Sequence, residues 1–183
     1  MHPFTLNISL FLALIIFSPF IPCNGLMTKL KGETDPIVLT CRKVTDFGFC
    51  VYTLRSDPRS AGASVYGFAQ IALGILVPHA KGTSNYVQTL QNITPTKMKI
   101  VVSTCIHFYG LATNNDIPMV VKSLNVKAYG NAKKGALAAL NDGQQCQDVI
   151  DKYPSSFWVR LIGMNDYMHD LSQLSRDLIG LLS

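Results

Sequence analysis

The stretch between Thr94 and Cys146 constrains the fold most strongly, because its apolar residues recur at steps of three and four. This period places apolar side chains on one face of an α-helix and turns Lys97, Lys99 and His107 away from that face. Two such helices joined by a turn lie antiparallel, so the stretch predicts a helical hairpin. Its two apolar stripes consist of Met98, Val101, Val102, Cys105, Phe108, Tyr109 and Ala112, followed by Tyr129, Ala132, Ala136, Ala139 and Leu140.

Prolines and capping residues predict where the other helices begin. Asp35-Pro36 and Thr94-Pro95 each combine an N-cap side chain with a proline at the first helical position. Ser60 is the predicted cap of a long helix, which Pro78 is expected to kink or interrupt. The apolar pattern of the last helix begins at about Asn165. These signals predict an all-α fold in which an up-and-down four-helix bundle follows a short helical hairpin.

The first 25 residues resemble a secretory signal peptide in composition. An apolar run from Leu6 to Phe17 is too short to span a bilayer. Cys23-Asn24-Gly25 then offers small residues of the kind that a signal peptidase reads, so cleavage is expected after Gly25. A membrane anchor is the alternative, and the short apolar run argues against it. We therefore expect a secreted protein in which residues 26–183 form a single domain.

Cleavage would remove Cys23 and leave four cysteines, an even number that suits disulfides in an oxidising compartment. Four cysteines permit three pairings. The pairs Cys41–Cys50 and Cys105–Cys146 are favoured because each joins elements that are adjacent along the chain. A zinc site is the alternative use of these cysteines. It is disfavoured because the sequence has no C-x-x-C pair and no histidine at ligand spacing beside them.

The sequence argues poorly for an enzyme, since it lacks the motifs G-x-S-x-G, Walker A and H-E-x-x-H. Three histidines would remain after cleavage, and His79, His107 and His169 are each expected on a solvated helix face. No catalytic residue, metal ligand or cofactor is predicted. An enzyme whose catalytic residues assemble only in the folded chain is the weaker alternative.

Several residues carry a resemblance to a known family. Cys41-x8-Cys50-Val51, with Leu54 and then Asp57-Pro58-Arg59-Ser60, resembles the opening of the plant invertase/pectin methylesterase inhibitor family. The likeness extends over essentially the whole mature chain. It implies a four-helix bundle preceded by a helical hairpin, with two disulfides paired in sequence order. Further matching residues are Cys105, Tyr109, Tyr129, Ala138, Ala139, Cys146 and Asp148.

The resemblance also implies a function. Family members inhibit either acid invertases of the cell wall or vacuole, or pectin methylesterases. This chain is therefore expected to bind one of these enzymes and to occlude its active-site cleft without a covalent step. Some invertase inhibitors carry Pro-Lys-Phe before the helix that ends at the last cysteine, where this chain has Lys127-Ala128-Tyr129. The charge and the ring are kept but the proline is not, which leaves the target open. The expected location is the extracellular space or apoplast, with the vacuole as the alternative.

Basic residues concentrate in the middle of the sequence. Between Pro58 and Asn141 eight lysines and arginines accompany a single acid, Asp116, whereas six acids face three bases from Asp142 onward. This distribution predicts a positive surface over the middle helices. Such a surface either keeps the protein soluble or meets an acidic partner enzyme or the polyanionic pectin of a plant wall. Nucleic acid is not an expected partner, because basic and aromatic residues do not interleave.

The predicted target contacts are Lys127, Tyr129, Lys133 and Lys134, around the turn into the helix that ends at Cys146. Tyr129 would be a desolvated anchor, and the lysines would steer the encounter with the target. The alternative is that Tyr129 belongs to the core.

Two further expectations concern other parts of the molecule. Asn92-Ile93-Thr94 is a candidate N-glycosylation sequon and is followed directly by Pro95. A rival function is the carriage of an apolar ligand, in a cavity lined by the residues of the apolar stripes.

Overall fold

The computed structural model describes residues 35–183, and these residues pack around one apolar core. The predicted signal peptide and Cys23 lie outside the described residues. Within residues 35–183 the regular elements are all helical, which confirms the predicted all-α class. The α-helices of this region are α1 (Pro36–Cys41), α2 (Phe47–Arg55), α3 (Val65–Leu90), α4 (Lys99–Leu111), α5 (Ile117–Asn125), α6 (Tyr129–Lys152) and α7 (Val159–Gly180).

Four long helices form the predicted bundle. Helices α4 and α5 act as one bundle helix, since a π-helical turn over Ala112–Asp116 joins them without a break. This bundle helix packs against α3 on one side and α6 on the other, and α7 closes the ring by contacting α6 and α3. The irregular turn ends two residues before Pro118, a residue that cannot donate to the preceding helical turn. None of the helices in the described region is long and apolar enough to cross a membrane.

Helices α1 and α2 form the predicted hairpin. The Asp35 carboxylate accepts a hydrogen bond from the Ile37 N–H at 2.9 Å, with Pro36 at the first helical position, as predicted. A disulfide between Cys41 and Cys50 joins the two helices. The hairpin also bonds to the bundle, because the N–H of Thr45 donates to the carboxylate of Asp177 on α7 at 2.8 Å.

The predicted start of the long helix at Ser60 is wrong, and the helix begins after Ser64. The hydroxyl of Ser60 is buried and donates instead to the carbonyls of Leu54 and Asp57. Because it is buried, this hydroxyl bonds to a carbonyl at the end of α2 and does not cap the next helix. Pro78 does not interrupt α3, which continues to Leu90.

The predicted helix starts at Thr94 and Asn165 are also wrong. The Thr94 hydroxyl donates back to the carbonyl of Leu90 at 2.6 Å, so it serves the end of α3, and α4 begins at Lys99. Helix α7 begins at Val159, well before Asn165. The reason is Trp158, which is fully buried and fixes a 3-10 turn directly before α7.

Helices α5 and α6 approach each other closely at Gly135 on α6. A Cβ atom at this position would lie 2.9 Å from Cγ2 of Val120 and 3.1 Å from the carbonyl oxygen of Asp116. Only a residue without a side chain fits there, because the second neighbour is backbone and cannot rotate away. Gly135 thus brings α6 directly against the π-helical turn.

Candidate protein-contact surface

The turn from α5 into α6 contains an unusual backbone conformation at Lys127. Its φ is 57°, which makes it the only non-glycine residue of positive φ within residues 35–183. The Lys127 N–H donates to the carbonyl of Leu124 at 3.0 Å, and the Ala128 N–H donates to that of Ser123 at 2.8 Å. These are the two bonds of a Schellman motif, in which glycine normally takes the left-handed position. A lysine there costs roughly 1–2 kcal/mol.

The first turns of α6 carry the other predicted contact residues. Tyr129 is half-buried and packs against the core, so its ring is shared between core and surface. Lys133 lies four residues later, on the same helical face as Tyr129, and Lys134 is rotated from it by about 100°. Both lysines are exposed. The fold therefore groups Tyr129 with Lys133 and directs Lys134 to a neighbouring face.

Lys133 belongs to a basic cluster that linear spacing does not reveal. A polar groove of about 250 Å³ is lined by Lys43 of the hairpin, Lys133 of α6 and Arg176 of α7. Asp177 lines the same groove, and its negative charge partly neutralises the cluster. Its carboxylate also accepts a hydrogen bond from the Thr45 N–H. No sequence pattern could have found these three cations, because they come from three separate elements.

The predicted disulfide between Cys105 and Cys146 joins α4 to α6 inside the bundle. Beside it, the buried Tyr109 hydroxyl donates to Oδ1 of Asn165 at 2.8 Å, and Nδ2 of Asn165 donates to Oε1 of Gln147 at 3.0 Å. Burial raises the pKa of Tyr109 well above its ordinary value. This network is satisfied within the core and links α4, α6 and α7.

The three histidines differ in environment. His79 is half-buried, with Nε2 2.8 Å from the carbonyl oxygen of Met164, so its expected place on a solvated face is wrong. His107 is exposed as predicted, and Nδ1 of His169 lies 3.3 Å from a carboxylate oxygen of Asp170. Residues 35–183 contain no group of three or more potential metal-ligating side chains.

The candidate sequon lies at the end of α3. Asn92 is exposed, whereas Thr94 is buried and its hydroxyl is hydrogen-bonded to Leu90. Glycosylation at Asn92 remains a prediction.

A buried acid, Asp142 on α6, was missed by the sequence analysis. It is 8% exposed, and its Oδ2 has no hydrogen-bond partner among the described residues. Burial raises its pKa to about 8, and the nearby carboxyl of Asp116 in the π-helical turn adds to the effect. The only sequence signal for the pair of Asp116 and Asp142 is that Asp116 is the single acid in a basic stretch.

Fold and surface together define a class: a disulfide-linked four-helix bundle with a helical hairpin in front and a strained basic turn at one end. A family profile for the plant invertase/pectin methylesterase inhibitors matches residues 35–178. The chain belongs to this family, which confirms the resemblance noted from the sequence.

Two relatives are named for different target enzymes. The chain is 30% identical over 129 residues to a cell wall / vacuolar inhibitor of fructosidase 2 from Arabidopsis thaliana, covering 69% of this chain and 71% of the relative. It is 29% identical over 148 residues to a pectinesterase inhibitor from Actinidia deliciosa, covering 80% of each. Similar identity to both kinds of inhibitor gives no preference between the two targets.

The fold is also similar to a solved structure. A mutant form of a pectin methylesterase inhibitor from Arabidopsis superposes with a TM-score of 0.71 at 17% identity. The match covers 84% of this chain and 97% of that chain. This likeness concerns the fold alone.

Proposed function

We propose that this protein is a secreted inhibitor that binds a plant acid invertase or a pectin methylesterase and occludes its active-site cleft. The observation that carries the proposal is the family match across residues 35–178. The inhibitor acts by binding and not by turnover, and it resides in the extracellular space or the vacuole. The names of its relatives, which include cell wall, vacuolar and pectinesterase inhibitors, support this assignment.

The contact surface in this proposal is the turn from α5 into α6. A rigid bundle loses little conformational freedom on binding, which favours tight non-covalent inhibition. Tyr129 supplies a half-buried ring as anchor, and exposed lysines around it attract an acidic target. The cluster of Lys43, Lys133 and Arg176 also suits the carboxylates of pectin, for which only weak, salt-sensitive association is expected.

The direct test of this function is inhibition of purified acid invertase and purified pectin methylesterase by the secreted protein. Assays at an acidic wall pH and at two salt concentrations should show saturable inhibition of one enzyme. The bound enzyme should recover full activity after dissociation, since no covalent bond is formed. Failure of the folded protein to inhibit either enzyme would reject the proposal.

Reversing two charges tests the role of the lysines. Lys133→Glu combined with Lys134→Glu should slow association with the target by about three- to ten-fold at low salt and weaken its salt dependence. The melting temperature should stay unchanged, because both side chains are exposed. Lys97→Glu with Lys99→Glu is the matched control, since these exposed lysines lie at the start of α4, at the far end of the bundle helix that leads into the turn. Equal association rates for both double variants would mean that the lysines serve only solubility.

The strained lysine offers a test in which stability and inhibition move in opposite directions. Lys127→Gly should stabilise the protein by roughly 1 kcal/mol, because glycine adopts positive φ without steric cost. The same change should weaken inhibition, since it removes an exposed contact. Urea unfolding and inhibition assays on the same sample provide both readings. A more stable variant with undiminished inhibition would exclude Lys127 from the contact surface.

A further inference from the structure

Helices α3 and α5 leave an open apolar groove between them, and one end of it reaches the last residues of α5, Leu124 and Asn125. One part of the groove encloses about 480 Å³ and the other about 360 Å³, and they share Val77, Val121 and Asn125. Each volume lies within the range of roughly 300–1,000 Å³ that is typical of small-molecule sites. The two parts therefore form one continuous site on the bundle surface.

The residues of both walls explain why the groove stays open. Gly74 on α3 is exposed and has no side chain to fill the space opposite Val121 and Leu124. Each wall also contains a proline, Pro78 on α3 and Pro118 on α5, a residue that bends helices away from straight packing.

Among the lining residues, charge belongs to one part of this groove. Lys81 and Lys122 line the larger part, and no carboxylate belongs to the lining of either part. The lining of the smaller part includes no charged side chain, and Arg59, which lies beside Gly74, is paired with Asp57. Along α3 the lining extends from Gln70 to Lys81, a length of about 16 Å. The site thus has an apolar channel with cations towards one end.

We propose that this groove binds an amphipathic carboxylate, namely a free fatty acid, with the carboxylate at Lys81 and Lys122 and the chain extending past Gly74. The distribution of charge carries the inference, because one anionic end and one apolar chain match it. Lysine stems add apolar surface beneath their ammonium groups. The site uses none of the proposed target contacts, so it is independent of the inhibitor function.

Displacement of a fluorescent dansylated undecanoic acid from the secreted protein measures this binding directly. Laurate should displace the probe at a concentration roughly ten-fold lower than dodecanol does, since a charged hydrogen bond is worth about that factor. Dodecylamine, which has the same chain and a positive head, should be the weakest competitor. Neither invertase nor pectin methylesterase is present, so the result does not depend on the proposed function.

Two glycine variants in α3 separate the groove from the rest of the helix. Gly74→Leu should fill the narrow part and weaken laurate binding by at least about ten-fold, because its side chain would occupy the space of the fatty-acid chain. Gly82→Leu is the matched control, since Gly82 is also exposed in α3 but lies outside the groove lining. Neither change should lower the melting temperature, as a Cβ at Gly74 meets only the Arg59 side chain at 3.6 Å and one at Gly82 meets nothing within 4 Å.

A double charge reversal tests the role of the two lysines. Lys81→Glu with Lys122→Glu should abolish the preference for laurate over dodecanol. Lys97→Glu with Lys99→Glu should leave that preference intact. Equal binding by both glycine variants, or equal displacement by laurate, dodecanol and dodecylamine, would overturn the proposal. Self-association of the protein that Gly74→Leu abolishes, without laurate binding, would assign the groove to a second copy of the chain instead.

Discussion

Raising the pH from about 5 to about 7.5 is expected to destabilise the protein by about 1–3 kcal/mol, because the Asp142 carboxyl is ionised in the unfolded chain while the folded protein still holds its proton. In the unfolded chain this group has the ordinary pKa of 3.8, whereas burial and the neighbouring Asp116 raise it to about 8 in the fold. Between these values the unfolded state has released a proton that the native state still holds. Higher pH therefore favours unfolding, and the stabilisation is fully present only below about pH 4.

Asp142→Asn provides the decisive comparison for this effect. Asparagine keeps the size of the side chain but cannot ionise, so stability should be nearly flat from about pH 5 to about pH 7.5 and should exceed that of the parent at the upper end. Urea unfolding at several pH values measures both curves. Asp166→Asn, at an exposed position of α7, is the control and should keep the parent slope. An Asp142→Asn protein with the parent slope would show that another group controls the pH dependence.

Two other carboxyl groups with shifted pKa values act below this range of pH. The pKa of Asp35 is lowered in the fold, chiefly by its hydrogen bond with Arg55. Burial raises the pKa of Asp177, but hydrogen bonds with Thr45 and Gln173 and the charge of Arg176 together lower it below its ordinary value. Such groups stabilise the fold above their unfolded pKa, and that contribution is lost as the pH falls through the folded value. Their effect thus appears at acid pH, below the range in which Asp142 acts.

Removing the disulfide between α4 and α6 is expected to have the largest effect of any change considered. Replacement of Cys105 and Cys146 by alanine should cost about 4 kcal/mol, because the bridge closes a loop of about 40 residues in the unfolded chain. Both cysteines are fully buried, so the change also leaves a small cavity beside the Tyr109–Asn165 hydrogen bond. Against a typical stability of about 5–15 kcal/mol, the loss could leave a marginal protein. Urea unfolding measures it.

The hairpin disulfide is the internal comparison. Alanine at Cys41 and Cys50 should cost about 2.7 kcal/mol, since this bridge closes a loop of only about 10 residues. Inhibition should survive this change, because the proposed contacts lie on α6 and the turn before it. A larger loss of stability from opening the hairpin than from opening the bundle would contradict the loop-length argument.

Local sequence patterns predicted the structure correctly where a residue interacts only within its own helix. Asp35-Pro36 begins α1 as predicted, since a carboxylate two residues before an N–H needs no distant partner. The same holds for the apolar stripe through Val101, Val102 and Cys105, whose burial follows from helical period alone. Local signals failed at Ser60 and Thr94, where burial commits each hydroxyl to a carbonyl of the preceding helix.

The candidate site was predictable only in part. The sequence identified Lys127 as charged and near a turn, but its positive φ depends on how α5 ends and α6 begins. The grouping of Lys43, Lys133 and Arg176 needed the fold, because the three residues come from distant parts of the chain. The groove between α3 and α5 likewise depends on how two helices meet around Gly74 and Pro118.

By itself, then, the sequence determined the helical class, the two disulfides and the family, because helical period, cysteine spacing and short motifs are local or pairwise properties of the chain. Only the tertiary structure determined the raised pKa of Asp142 and the positive φ of Lys127. Both properties arise from the burial and direction of groups brought together by packing, and packing cannot be read from the order of residues.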